Sequence, residues 1–237
     1  MFEKIIKIIS RVLTVAIMFL LADSFYLSQK GFSLQDGKIV LIKSALASEK
    51  KESAVDTRAF QMEAQHFLGD ANAPITIYEF SSLGCTHCAD FHLGILPKLK
   101  ADFIDSGKVK LVFADFPIDK KSMQAAMLAR CMPKGKYFDF LSLLFKKQTT
   151  WGLSFRTEKL LAGYAGGEGV SEEDAKTCMN DDEVAAEIMY IRQQAMEKLN
   201  IQATPSFLIR GADGDTLLTG VPDYQKLSDL LNKKLSD

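Results

Sequence analysis

Cys85-Thr86-His87-Cys88 places two thiols three positions apart. The motif lies between an apolar run, Ile75-Thr76-Ile77-Tyr78-Glu79-Phe80, and a stretch that reads as a helix, Ala89 to Lys100. A strand that delivers two cysteines onto the first turn of a helix has the geometry of thiol–disulfide exchange. Unpaired N–H groups and about half a positive charge at a helix N-terminus favour a thiolate over a thiol. Cys85, first in the motif, is then the sulfur that attacks and is attacked, and Cys88, one turn inward, is the resolving thiol. A protonated His87 adds a second positive charge; stabilising the reduced form in this way makes the disulfide a stronger oxidant. Two plainer uses compete, a structural bridge and a half zinc site. Structural zinc takes four ligands, usually from two such pairs, and no second C-x-x-C or H-x-x-x-H is present. His66 and His92 read as surface or packing residues.

The composition is that of an ordinary globular protein: 237 residues, 25% charged, formal net charge −1. Neither a basic patch of nucleic-acid type nor an acidic tail is present. Four cysteines permit two disulfides in three connectivities. Lys4, Lys7 and Arg11 precede the apolar run Val12 to Ala22, a charged segment followed by a hydrophobic one, which is the pattern of a secretory signal. Residues 1–27 are therefore read as a signal peptide or signal anchor. Ala45-Leu46-Ala47 resembles a cleavage site but lies far beyond the apolar run. If the segment stays attached, its basic side keeps residues 1–11 in the cytoplasm and places the remainder outside. Either way the cysteines are exported, to a compartment where disulfides persist.

Residues 28–60 have mixed composition, with a short apolar run Lys38 to Ile42, and read as a linker; a folded domain over 61–237 follows. Pro74, after the turn formers Gly69 to Ala73, suits the start of the motif strand. Gly107 ends the motif helix and Lys108 to Phe116 is the next strand. Helical spacing then recurs over 119–131, 137–147, 157–164, 171–179 and 181–199. Gly166-Gly167-Glu168-Gly169 is a turn and not a phosphate loop, since no strand precedes it and no Lys-Ser/Thr follows. Ser206 to Arg210 and Thr216 to Thr219 form a hairpin around Gly211-Ala212-Asp213-Gly214-Asp215, and Tyr224 to Leu235 is a closing amphipathic helix. The fold class is α/β, with a helical insertion over about 119–200. Met123, Met127 and Met132 with Phe138, Phe140 and Leu144 read as packing within it rather than as a peptide groove.

Two further residues stand out. Pro205 opens a strand, which is unexpected unless its bond is cis and its backbone borders a functional site. Glu79 is an acid inside an apolar strand; it either points outward or is buried with a raised pKa and a purpose.

Glu79-Phe80, the C-T-H-C motif, the helical block, Ala203-Thr204-Pro205 and the final hairpin and helix together resemble a thioredoxin-fold protein of the DsbA type. The stretch Ser82 to His92, with Cys131 and Cys178, is most similar to the DsbA-like oxidoreductases of rickettsia-type alphaproteobacteria. The resemblance covers about residues 66–237. It implies that Cys85 is the nucleophile, Cys88 the resolving thiol, Glu79 a buried carboxylate that moves a proton for the inner cysteine, and Pro205 a cis-proline preceded by Thr204. It also implies a second, non-catalytic disulfide between Cys131 and Cys178, two free thiols being the alternative. The implied function is an exported, periplasmic oxidoreductase that needs no cofactor or metal of its own. Its implied partners are exported proteins with free thiols and a quinone-linked membrane oxidase. A disulfide isomerase or reductase, oligomerised through residues 28–60, is the enzymatic rival, and a metal-binding or holdase module the non-enzymatic one.

Overall fold

The structure is a computed structural model that describes residues 32–35, 38–41, 57, 60, 62, 66–133 and 135–236. The chain divides after Ala54. In the first unit the described elements are β1 (Phe32–Gln35) and β2 (Lys38–Leu41), paired antiparallel with Phe32 opposite Leu41. A hairpin thus occupies part of the stretch expected to be a linker. The apolar run 12–22 and Ala45-Leu46-Ala47 lie outside the described residues. Among the described residues no helix is long and apolar enough to cross a membrane.

The second unit, Val55–Asp237, is built on a five-stranded sheet in the order β3-β5-β4-β6-β7. Its strands are β3 (Phe67–Leu68), β4 (Ile75–Ser81), β5 (Val109–Asp115), β6 (Ser206–Gly211) and β7 (Gly214–Thr219). β4 runs parallel to β5, with Glu79 opposite Phe113, and antiparallel to β6, with Glu79 opposite Phe207. A central strand with a parallel neighbour is covered on both faces, and β4 is buried except for the part-exposed Thr76 and Tyr78, with Glu79, Phe80 and Ser81 buried in succession.

A helical run joins β4 to β5: α1 (Thr86–Asp90), a π-helical stretch Phe91–Ile95, α2 (Leu96–Leu99) and a second π-helical stretch Lys100–Ile104. Pro97 lacks an N–H for the ladder, and the first widened turn lies just ahead of it. The run is helical from Thr86 to Ile104, longer than the Ala89–Lys100 segment its apolar pattern marks. Between β5 and β6 lie α3 (Lys120–Arg130), α4 (Tyr137–Lys146), α5 (Gln148–Gly152), α6 (Thr157–Gly166), α7 (Glu172–Cys178) and α8 (Asp182–Leu199). The closing helix is α9 (Tyr224–Ser236). This is the α/β architecture expected of a thioredoxin fold.

The core has three parts. Ile75, Ile77, Leu111, Phe207 and Ile209 on one sheet face meet Phe91, Leu99 and Phe103 of the motif helix and Leu227 and Leu231 of α9. Phe80, Ala114 and Leu208 on the other face meet Ala195 and Leu199 of α8, together with Phe60. Leu83, Cys88 and Phe113 join the helices α3 to α7 in the third. Phe60 is buried and packs edge-on to Tyr78 and Phe80. The guanidinium of Arg210 donates to the Thr57 carbonyl at 2.8 Å and also pairs with Asp215. Thr57 and Phe60, at the end of the stretch read as a linker, thus pack against this unit: the Thr57 carbonyl meets Arg210 and the Phe60 ring the outer sheet face.

Candidate active site

β4 ends at Ser81, and three residues later the chain enters the motif helix with Cys85 as its N-cap. The intervening turn is closely held. Ser82 O accepts from the Cys85 N–H at 3.0 Å, and Ser82 Oγ accepts from the Gly84 N–H at 3.2 Å. Gly84 faces the start of α3: a Cβ there would stand 3.1 Å from the Ser122 Cβ. That start is itself rigid. Asp119 caps α3 by accepting from the Ser122 N–H at 2.7 Å, while Ser122 Oγ accepts from the Asp119 N–H at 3.0 Å. Ser122 is thus the third residue of a capping box whose N-cap is Asp119.

The two sulfurs occupy opposite environments. Cys85 is partly exposed, and its thiol donates to the Thr204 carbonyl at 3.3 Å. Its pKa falls from 9.0 to about 5, chiefly because the Cys88 thiol donates to a Cys85 thiolate. The Thr204 hydroxyl and the main-chain N–H groups of Cys88 and His87 act in the same direction, and burial opposes them. Cys88 is 0% exposed, and its pKa is driven far up by burial and by that same donation to Cys85; the charge of Glu79 adds to the rise. The Ser82 N–H, 3.5 Å from the Cys88 sulfur, works the other way.

Glu79 is 0% exposed and sits on the sheet face covered by the motif helix, since it alternates in step with Ile75 and Ile77. Neither of its carboxylate oxygens has a hydrogen-bond partner, and burial raises its pKa from 4.5 to about 8. The Ser81 hydroxyl lies near enough to oppose that rise without making a hydrogen bond of normal geometry to it. A group with these properties is largely a neutral acid at pH 7 and can hold a proton beside Cys88.

The Thr204–Pro205 bond is cis. Pro205 immediately precedes β6, the strand beside β4, and the Thr204 carbonyl, 119 residues away in sequence, lies against Cys85. His87 contributes differently from expectation. Its main-chain N–H favours the Cys85 thiolate, whereas its ring is 73% exposed and turned to Asp90, with Nδ1 3.4 Å from Oδ2. Helix geometry gives the reason: position 87 is on the outer surface of α1 and faces position 90 one turn on. Of the other histidines, His92 is buried, its Nε2 hydrogen-bonded with Ser142 Oγ at 3.1 Å, and His66 stacks on Tyr137 at 4.1 Å. Among the described residues no three His, Cys, Asp or Glu side chains converge as metal ligands would.

Cys131 and Cys178 are bonded to each other, with Cα atoms 6.2 Å apart. They stand at the C-cap of α3 and the last residue of α7, away from the motif. The structure thus gathers Cys85, Cys88, Glu79, Thr204 and Pro205 at one place and leaves the second cysteine pair in the helical block.

Two features escape sequence reasoning. Gln148, at the start of α5, sends its side-chain N–H groups to the carbonyls of Leu83 at 2.7 Å and Cys85 at 3.0 Å. An isolated Gln between two helices carries no signal of this. Asp115, at the end of β5, forms a buried ion pair with Arg130 Nε at 2.8 Å. A hydrophilic residue closing an apolar strand is the one trace of it in the sequence.

A family model described as thioredoxin matches residues 61–232. A provisionally named protein-disulfide oxidoreductase of Rickettsia typhi is 30% identical over 168 residues, which span 69% of this chain and 62% of that relative. The match therefore covers less than two thirds of the relative's length. Disulfide bond formation protein D of Bacillus subtilis is 29% identical over 73% of this chain and 78% of its own. Among solved structures, alpha-DsbA1 of Wolbachia pipientis superposes with a TM-score of 0.68 at 30% identity, covering 74% of this chain and 92% of that one. BdbD of Bacillus subtilis gives 0.66 at 28% identity, over 75% and 96%. The chain belongs to the thioredoxin family, and within it is similar to DsbA proteins.

Proposed function

We propose that this protein is exported to the periplasm and introduces disulfide bonds into other proteins by exchange at Cys85 and Cys88. The observation that carries the reading is the asymmetry of the pair: a half-exposed sulfur with its pKa drawn down to about 5 beside a buried one driven far up. A disulfide whose outer sulfur is so well stabilised as a thiolate gives up its oxidised form readily.

In the oxidised enzyme, a substrate thiolate attacks Cys85 Sγ and the Cys85–Cys88 bond breaks. Cys88 is a poor leaving group as a bare thiolate, and Glu79, protonated at pH 7, supplies the proton it takes up. The substrate is now held to Cys85 by a mixed disulfide, with Thr204 beside it offering backbone groups to an extended peptide. The substrate's second thiolate attacks its own bridged sulfur, the substrate disulfide forms, and Cys85 departs as a stabilised thiolate. The substrate loses two electrons and the motif gains them. Return to the disulfide requires an oxidant that accepts those electrons, for which a quinone-linked membrane oxidase is the partner the resemblance implies.

The test is the equilibrium of residues 48–237 with glutathione, joined to oxidation of a reduced two-cysteine peptide. A potential near about −120 mV with peptide oxidation supports the reading; a value near about −270 mV marks a reductant and overturns it. Export is tested separately, by fusing a secretion-dependent reporter after residue 60: reporter activity confined to cells that retain residues 1–27 is expected, and none overturns it.

A further inference from the structure

We infer that Gln148 is a positioning residue for Cys85, bracing the motif turn from the helical block. The inference rests on Cys85 being the exchanging thiol. Both N–H bonds of one side-chain amide are engaged, one on the carbonyl of Leu83 and one on the carbonyl of Cys85. These carbonyls flank Gly84, whose other side is closed by Ser122. The turn that presents the sulfur is therefore gripped between the first turn of α3 and the first residue of α5, both far along the chain from it.

The Cys85 carbonyl also accepts the Ala89 N–H at 3.2 Å, as the N-cap of α1 should. Gln148 thus sets the orientation of the peptide unit from which the helix starts. The thiolate at Cys85 depends on main-chain N–H groups of His87 and Cys88, which follow closely on that carbonyl. Those donors stabilise the anion only while they are held toward the sulfur, because a donor already oriented costs nothing to reorganise when charge develops. The amide of Gln148 also directs the positive end of its dipole at the motif turn. Gln148 is buried and touches no reacting atom, so it acts through the motif backbone.

The experiment is the pH profile of Cys85 alkylation in the full chain, with Gln148→Met removing both donors at similar volume. The midpoint is expected to rise by about half a pH unit in a variant that stays folded, with a melting temperature lowered by the loss of two buried hydrogen bonds. Gln148→Glu, which sets a carboxylate against two carbonyls, should shift it further in the same direction. An unchanged midpoint in a folded variant overturns the proposal, as does a chain that unfolds with both substitutions, which would assign Gln148 to stability alone. The readout follows the Cys85 thiol whatever the chain oxidises, so wild-type protein inactive on reduced peptides would count against the functional reading while leaving this coupling measurable.

Discussion

The two cysteine pairs of this protein are chemically alike in sequence and opposite in surroundings. Cys131 and Cys178 lie 47 residues apart, at the ends of two helices, and are bonded to each other. Cys85 and Cys88 lie within one helical turn, one facing the outside and the other enclosed, with an unpartnered carboxyl beneath. What separates a structural bridge from a reactive one is that inequality. A bridge between separate helices restrains the unfolded chain and needs no difference between its sulfurs. An exchanging pair needs one sulfur to be easily left as an anion and the other to hold its proton.

The largest effect that would sharpen this contrast comes from removing one sulfur of the motif and, separately, both sulfurs of the second pair. Cys85→Ser should abolish peptide oxidation. Cys131→Ala with Cys178→Ala should leave oxidation near wild type and lower unfolding free energy by about 3–4 kcal/mol, read from denaturant titration. Equal losses of activity from both replacements would erase the distinction. Next in size is the response of the sulfurs to pH. The alkylation rate of reduced protein should rise through a midpoint near pH 5 and report Cys85 alone, with Cys88 unreactive until the chain unfolds, as mass mapping of the labelled peptides will show.

Glu79 gives a prediction of opposite sign to that of most carboxylates. Its pKa is raised on folding, so its protonated form favours the folded state below 4.5, and that contribution is lost as pH climbs through about 8. Glu79→Gln should flatten the decline of stability between those limits, and should slow peptide oxidation about tenfold or more at pH 7. A wild-type stability curve already flat across this window would place the carboxyl in contact with water. The smallest effect expected is that of Thr204→Val, which keeps the carbonyl facing Cys85 and removes the hydroxyl; the alkylation midpoint should rise by a few tenths of a pH unit.

Much of the site is legible in the sequence because its chemistry is local. C-x-x-C between an apolar strand and a helix states where the thiols sit relative to a helix terminus. Boundaries for β5, α4, α8 and β6 read from patterning lie within two residues of those observed. The orientation of Glu79 is not legible there. Both faces are covered at the Glu79 end of β4, so the usual alternation of buried and exposed positions is missing there, and an acid at that position looks the same whether it points in or out. His87 shows the converse: its type suggests a cation on the thiolate, and the turn of the helix delivers its main-chain N–H while the ring faces Asp90.

The sequence by itself determined the things set by neighbours along the chain: the cysteine spacing, the helix that receives it, the order of strands and helices, and so the fold. Tertiary structure alone decided what depends on distant segments meeting. It placed the Thr204 carbonyl against Cys85, anchored Gln148 to the motif turn, closed Phe60 over the sheet and buried Glu79 near Cys88. The physical reason is range. Helix termini, caps and turns arise from interactions within a few residues, whereas the environment that separates one sulfur's pKa from the other is assembled from β4, β6, α1 and α5, whose proximity no local pattern records.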